Sequence, residues 1–91
     1  MVVKFFAGIR DKTGCKETNI PHEKDVHALL HALSAKYGAK LQTKLLSEDG
    51  MQLAPGILIF VNGRHLAHIG GIEAPLQPND VVLVFPVVAG G

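Results

Sequence analysis

A single cysteine, Cys15, stands in the 91 residues. It excludes an internal disulfide, and a lone thiol suits a reducing compartment. Long apolar runs are missing too. The longest uncharged run that is apolar throughout, Val81–Gly91, is about half the ~20 residues that a membrane-spanning helix needs. The opening MVVKFFAG is too short, and wrongly flanked, for a secretory signal. The expectation is a cytoplasmic protein with no membrane segment. Dense basic runs are also absent. Residues 1–45 hold eight Lys/Arg against four Asp/Glu, and residues 46–91 hold one against four. No aromatic residues interleave with the lysines, so the footprint of a nucleic-acid binder is lacking. The basic half reads as ordinary solvated surface.

Catalytic patterns are equally scarce. No paired carboxylates stand out, because Glu48 and Asp49 are adjacent in a turn and point apart. Cys15 has no His or Asn that the sequence places beside it, and reads as a partly exposed bystander. His27 and His31 are four apart on one helical stretch, close enough to share a metal. The stretch HALLH nevertheless has Ala28 where a zinc protease needs its glutamate. At 100° per residue both histidines fall away from the neighbouring apolar stripe and read as solvent-facing. His65 and His68 are three apart on a short strand and miss a common face, and His22 stands alone. No Cys/His spacing fits a structural zinc site, so no metal is expected. Gly70–Gly71 lacks the following helix and lysine of a phosphate loop, and reads as a turn.

What is present is a clear run of elements. Val2–Ala7 is β-branched and aromatic and reads as a strand. Gly8–Gly14 reads as a loop and Lys16–Ile20 as the returning strand. Asp25 can cap a helix in which Val26, Leu29, Leu30, Leu33 and Tyr37 form one apolar stripe. Gly38 follows where a left-handed cap would need it. Residues 39–56 are less defined, with a short helical turn that would point Leu41 and Leu45 inward. Ile57–Val61 is apolar throughout, as a strand covered on both faces would be. Asn62-Gly63 is a strong hairpin signal, with Arg64–His68 as the return strand. Val81–Pro86 is a second uniformly apolar strand. Val2–Ala7 and Val81–Pro86 are expected to form a parallel central pair. The result is one α+β domain: a mixed sheet of four to five strands with one main helix across it.

Attention then falls on PVVAGG, Pro86–Gly91. The strand before it gives the segment a rigid base. Five residues beyond Pro86 reach about 17 Å at ~3.3–3.6 Å each, enough to enter a partner's cleft. Gly90 and Gly91 carry no Cβ, so a carboxylate presented on them could pass a narrow channel. A free carboxylate is unreactive until it becomes a mixed anhydride, which an ATP-using partner could make. Residues 87–91 are expected to form a flexible C-terminal tail on a single domain of residues 1–91.

These segments resemble a known family. FFAGIRDKTG (Phe5–Gly14), VNGRHL and APLQPNDVVLVFPVVAGG are similar to the small subunit of molybdopterin synthase, MoaD. The resemblance implies a β-grasp, ubiquitin-like fold. It also implies a sulfur carrier with no active site of its own. Gly91 would be adenylated by an E1-like (MoeB-like) enzyme using ATP and converted to a thiocarboxylate by a sulfur donor. A large synthase subunit (MoaE-like) would receive it for molybdenum or tungsten cofactor assembly, with no stably bound cofactor on this chain. Gly90, Ala89, Val88, Val87, Pro86, Phe85, Phe6 and Arg10 match family positions near the partner surface. Many relatives carry a second proline where Val87 stands, so this arm would be less stiff. The thiamine sulfur carrier shares fold and diglycine but is shorter between helix and third strand, and the long 39–56 stretch argues against it. The same activated glycine also serves ubiquitin-like modifiers that join target lysines, and an inert β-grasp interaction module is a third reading.

Overall fold

The computed structural model describes residues 1–87. Among them the sheet has five strands in the order β2-β1-β5-β3-β4. These are β1 (Val2–Phe5), β2 (Glu17–Asn19), β3 (Ile57–Val61), β4 (Arg64–His65) and β5 (Val81–Pro86). β1 and β5 pair in parallel, Val2 facing Val81 and Phe5 facing Val84, while β2, β3 and β4 join antiparallel. The mixed sheet, with the parallel pair at its middle, follows the expectation.

The helices are α1 (Ile9–Thr13), α2 (Val26–Tyr37) and α3 (Ala39–Leu45). α2 begins where Asp25 Oδ1 accepts the Ala28 N–H at 2.8 Å, relieving one of the unpaired donors of the first turn. Its apolar stripe, Val26, Leu29, Leu30 and Leu33, is fully buried. Within the helix the buried Ser34 hydroxyl donates to the Leu30 carbonyl at 2.8 Å, so no polar group is stranded in the core. Gly38 ends the helix at φ +96°, ψ −177°, a glycine conformation rather than the left-handed helical cap that its position suggested. The extended ψ turns the chain straight into α3, whose Leu41 and Leu45 face inward as anticipated.

Three expectations need correction. Gly8–Gly14 is not a plain loop but contains α1, closed by Gly14 at φ +73°. Arg64–His68 is a strand only through His65, and Leu66–His68 is a 3-10 turn. Most consequential, the apolar strands are not covered on both faces. In β3 and β5 alternate residues are buried, with Ile57, Ile59 and Val61 and then Val82 and Val84 turned inward. Among the described residues one helical layer exists, and it covers one face.

That closed face gathers Val3, Phe5, Ile59, Val82 and Val84 from the sheet against Leu29, Leu30, Leu33, Leu41 and Leu45, all at 0 % exposure. Each such side chain contributes about 1.5–3 kcal/mol by leaving water. The hairpin turn takes positive φ at both Asn62 (+51°) and Gly63 (+81°), as a type I′ turn requires. Asn62 also stitches the hairpin to β5: its Oδ1 accepts the Val81 N–H at 2.9 Å and its Nδ2 donates to Asp80 at 2.8 Å. Among the described residues every buried side-chain nitrogen and oxygen has a hydrogen-bond partner, and no helix is long and apolar enough to cross a membrane.

Candidate functional site

The candidate site is the root of the C-terminal segment together with the sheet face that no helix covers. Strand alternation builds that face. With Val82 and Val84 turned inward, Leu83 and Phe85 point outward. Antiparallel register sets Leu58 opposite Phe85 and Phe60 opposite Leu83, and so on the same side. Parallel register adds Lys4 beside Leu83.

Aromatic groups run across this face. Phe6 stacks on Phe85 with ring centroids 4.2 Å apart and planes 10° from parallel. Phe85 meets Phe60 edge to face at 5.7 Å, and Phe60 meets His65 in the same way at 5.4 Å. All four side chains are half-buried. Rings in such offset and edge-on contacts gain about 0.5–1.5 kcal/mol per pair beyond area burial.

Arg10 closes one end of the row. Its Nε–H donates to the Phe5 carbonyl at 2.8 Å, and the guanidinium lies 5.6 Å from the Phe6 ring centroid. That separation is within cation–π range. The placement depends on the corner between β1 and α1, where Ala7 adopts φ +50°. A left-handed alanine costs roughly 1–2 kcal/mol, and here it turns the chain so that α1 returns alongside Phe6. The fixed Arg10 is thus an anchored cation beside an apolar surface, rather than a freely solvated loop residue.

The strand that carries Phe85 leads directly into the C-terminal segment. Pro86 pairs with Ile57, and the Val87 N–H donates to the Gly56 carbonyl at 2.7 Å. Val87 therefore continues the pairing edge of β5 while its side chain is 46 % exposed. Phe6, Arg10, Phe85, Pro86 and Val87, singled out in the sequence, are brought to one corner. Val88, Ala89, Gly90 and Gly91 lie outside the described residues. Phe60, His65, Leu58 and Leu83 were missed by sequence reasoning. The available signal was the alternation of β3, which becomes informative only once its register with β5 is known.

The other singled-out groups lie elsewhere. Cys15 is half-buried, with its Sγ 3.3 Å from the Tyr37 Oη. Burial raises the Tyr37 phenol above its ordinary range, and the Cys15 contact adds to the rise. His27 and His31 are not simply solvent-facing. Both Nε2 atoms approach the Gly50 carbonyl, and His27 is half-buried. A groove of about 230 Å³ beside β3 and β4 is lined mainly by Leu53, Leu58, Leu66 and Ile72 with Gln52 and His65, and contains no carboxylate, thiol or hydroxyl.

Comparison with known proteins agrees with this architecture. A family model described as the ThiS family matches residues 3–91. The match spans residues 39–56 as well. Small archaeal modifier protein 3 of Haloferax volcanii is 35 % identical over 91 residues, covering 98 % of this chain and 96 % of its own. A protein of Archaeoglobus fulgidus named as a putative sulfur carrier protein is 42 % identical over 66 residues, 72 % of this chain and 73 % of its own. Among solved structures, a chain of the Amycolatopsis orientalis BexX/CysO complex superposes with a TM-score of 0.84 at 25 % identity, covering 99 % of this chain and 98 % of that one.

Proposed function

The chain belongs to the ThiS family of ubiquitin-like sulfur carriers and small modifiers, and from that premise we propose that the carboxyl of Gly91 is its reacting group. The observation that carries this reading is that the family match extends to Gly90–Gly91, beyond a strand whose last residues are fixed in the sheet. A carboxylate oxygen attacks the α-phosphate of ATP on a partner enzyme, and pyrophosphate leaves. A sulfur nucleophile then attacks the acyl carbon, and AMP leaves with the carboxyl oxygen. With hydrosulfide as that nucleophile the product is a thiocarboxylate. Its sulfur attacks an electrophilic carbon of the acceptor, and water then cleaves the resulting thioester, leaving the sulfur on the acceptor and restoring the carboxylate.

The finer reading is a role as small subunit of molybdopterin synthase, delivering sulfur to a pterin precursor for molybdenum or tungsten cofactor assembly. Its partners would be the large synthase subunit, an E1-like adenylating enzyme and a sulfur donor, all in the cytoplasm. ATP belongs to the activating partner, not to this chain. The segment Val87–Gly91 enters the partner's active site in this reading, while Phe6, Phe85 and Arg10 dock beside the entrance. The open aromatic face supports such docking, and the similar BexX/CysO chain was solved in a complex.

Intact mass after incubation with the adenylating enzyme, ATP and a sulfur donor tests the proposal. The expected species has one oxygen replaced by sulfur at Gly91, and the chain lacking Gly90 and Gly91 stays unmodified. Unaltered mass of the full chain under those conditions sinks it. The second reading, conjugation to lysines, is favoured by the 35 % identity to a small archaeal modifier protein. It requires Gly-Gly remnants on target lysines after digestion.

A further inference from the structure

We propose that His27, His31 and the Gly50 carbonyl form a binding site for a late first-row divalent metal ion such as Ni²⁺, Cu²⁺ or Zn²⁺. The site is separate from the Phe6–Phe85 corner where β5 ends. It lies on α2, which packs on the closed face, away from the aromatic row. One helical turn separates the two histidines and aligns their rings on one side of α2. The rings meet edge to face at 4.5 Å.

Three lone-pair atoms converge there. His27 Nε2 is 2.7 Å from the Gly50 oxygen, His31 Nε2 is 3.1 Å from the same oxygen, and the two nitrogens are 3.0 Å apart. No assignment of protons satisfies all three contacts. If both nitrogens carry hydrogen, both donate to the carbonyl and meet each other with no proton between them. If one is bare, its lone pair faces the carbonyl lone pairs across the other side of the triangle. One cation satisfies all three at once. At a metal–nitrogen distance of about 2.0–2.1 Å, donors on one ion stand roughly 2.9–3.4 Å apart for angles between square and tetrahedral. Two of the observed spacings, 3.0 and 3.1 Å, lie just inside the square end, and the third, 2.7 Å, lies just below it. Imidazole with oxygen in that arrangement suits Ni²⁺ and Cu²⁺, and Zn²⁺ after slight opening.

The turn that supplies the oxygen is built to hold it there. The Gly50 N–H donates to the Ser47 carbonyl at 2.9 Å, and Gly50 takes φ +72°. A Cβ at that position would stand 3.4 Å from His31 Cε1, in contact with that ring. Asp49 in the same turn accepts from the Ser47 hydroxyl at 2.6 Å and from the Met51 N–H at 2.9 Å. With the adjacent Glu48 it places negative charge beside the site. His31 is exposed, which leaves the outer side open to water ligands. By contrast His65 and His68 sit 5.5 Å apart with rings tilted 47°, and His65 Nδ1 already accepts the Ala67 N–H at 3.0 Å.

The test is titration of the untagged full chain with NiCl₂, and separately with ZnCl₂, by calorimetry. Ring ¹H–¹⁵N spectra of the histidines are recorded alongside. Saturable binding of one ion per chain is expected, with the ring nitrogens of His27 and His31 perturbed together. Losing an outer partner of a metal site costs about 10–100-fold in affinity, so His31→Gln, which removes a ligand, is expected to weaken binding by at least that range. His68→Gln is expected to bind as the unaltered chain does. No saturable binding of either ion overturns the proposal. So does binding that survives both His27→Gln and His31→Gln, or ring perturbation centred on His22, His65 or His68. The ring spectra of the unaltered chain decide the matter even if a variant fails to fold.

Discussion

The two faces of one sheet are made from the same strands and differ by one residue of register. Inward residues such as Val3, Phe5, Ile59 and Val82 are wholly buried beneath α2 and α3, whereas outward Phe60, Leu83 and Phe85 are half-buried with no layer of the described residues above them. Both faces are apolar. The closed one converts its apolar area into fold stability. The open one leaves much of its area in contact with water, which suits a surface that a second protein covers. Their shared strands explain why the two roles cannot drift apart: moving β5 by one residue would exchange them.

The contrast breaks most visibly at the closed face. Leu30→Ala is expected to cost about 2–5 kcal/mol, read as a fall in the urea midpoint at unchanged slope. A cost near zero would show that α2 does not seal the core. On the open face, Phe85→Ala is expected to weaken binding to the adenylating partner by about 30-fold, the ~2 kcal/mol typical of a central aromatic anchor. Its effect on stability should be smaller than that of Leu30→Ala, about 1–2 kcal/mol from half a burial and a lost stack. Equal binding by the two proteins in a pull-down or calorimetric assay would remove the docking role of the face.

Smaller tests sharpen the closed side. Asp25→Ala removes the acceptor that starts α2 and is expected to cost about 1 kcal/mol, with Asp25→Ser recovering most of it in thermal melts. At the other end of α2, Tyr37 rests edge-on against Phe5 with ring centroids 5.8 Å apart. Its phenol is raised above the ordinary value of 10.0, first by burial and then by Cys15. The sign follows from linkage: the folded state favours the neutral phenol. That contribution is therefore whole below pH 10 and is lost as pH rises through the higher folded value. Tyr37→Phe should flatten this alkaline slope, and an unchanged slope in pH-dependent denaturation would reject the assignment.

Much of this architecture was legible in the residues. The stripe from Val26 to Tyr37, the Asp25 cap and Asn62-Gly63 each carry a local signal strong enough to fix an element, and two uniformly apolar strands implied a central position. α1 was not legible, because five residues with one buried side chain, Ile9, show no period. The uncovered face was misread because uniform apolarity looks the same whether a second layer exists or not. Phe6, Phe85 and Arg10 were found through resemblance, while Phe60 and His65 depend on pairing between distant segments. The approach of Gly50 to the two histidines depends on a turn that lies outside the helix altogether.

The parallel pairing of Val2–Phe5 with Val81–Pro86 also bears on the order of synthesis. β5 follows every other described element in the chain, so the ribosome makes it after them. Until it inserts, β1 and β3 have no neighbour in common. The residues beyond β5 gain a firm base only when the domain closes around that strand. Under the proposed function, a nascent or misfolded copy would thus offer an activating enzyme no anchored substrate, and assembly of the domain would itself act as the checkpoint before ATP is spent.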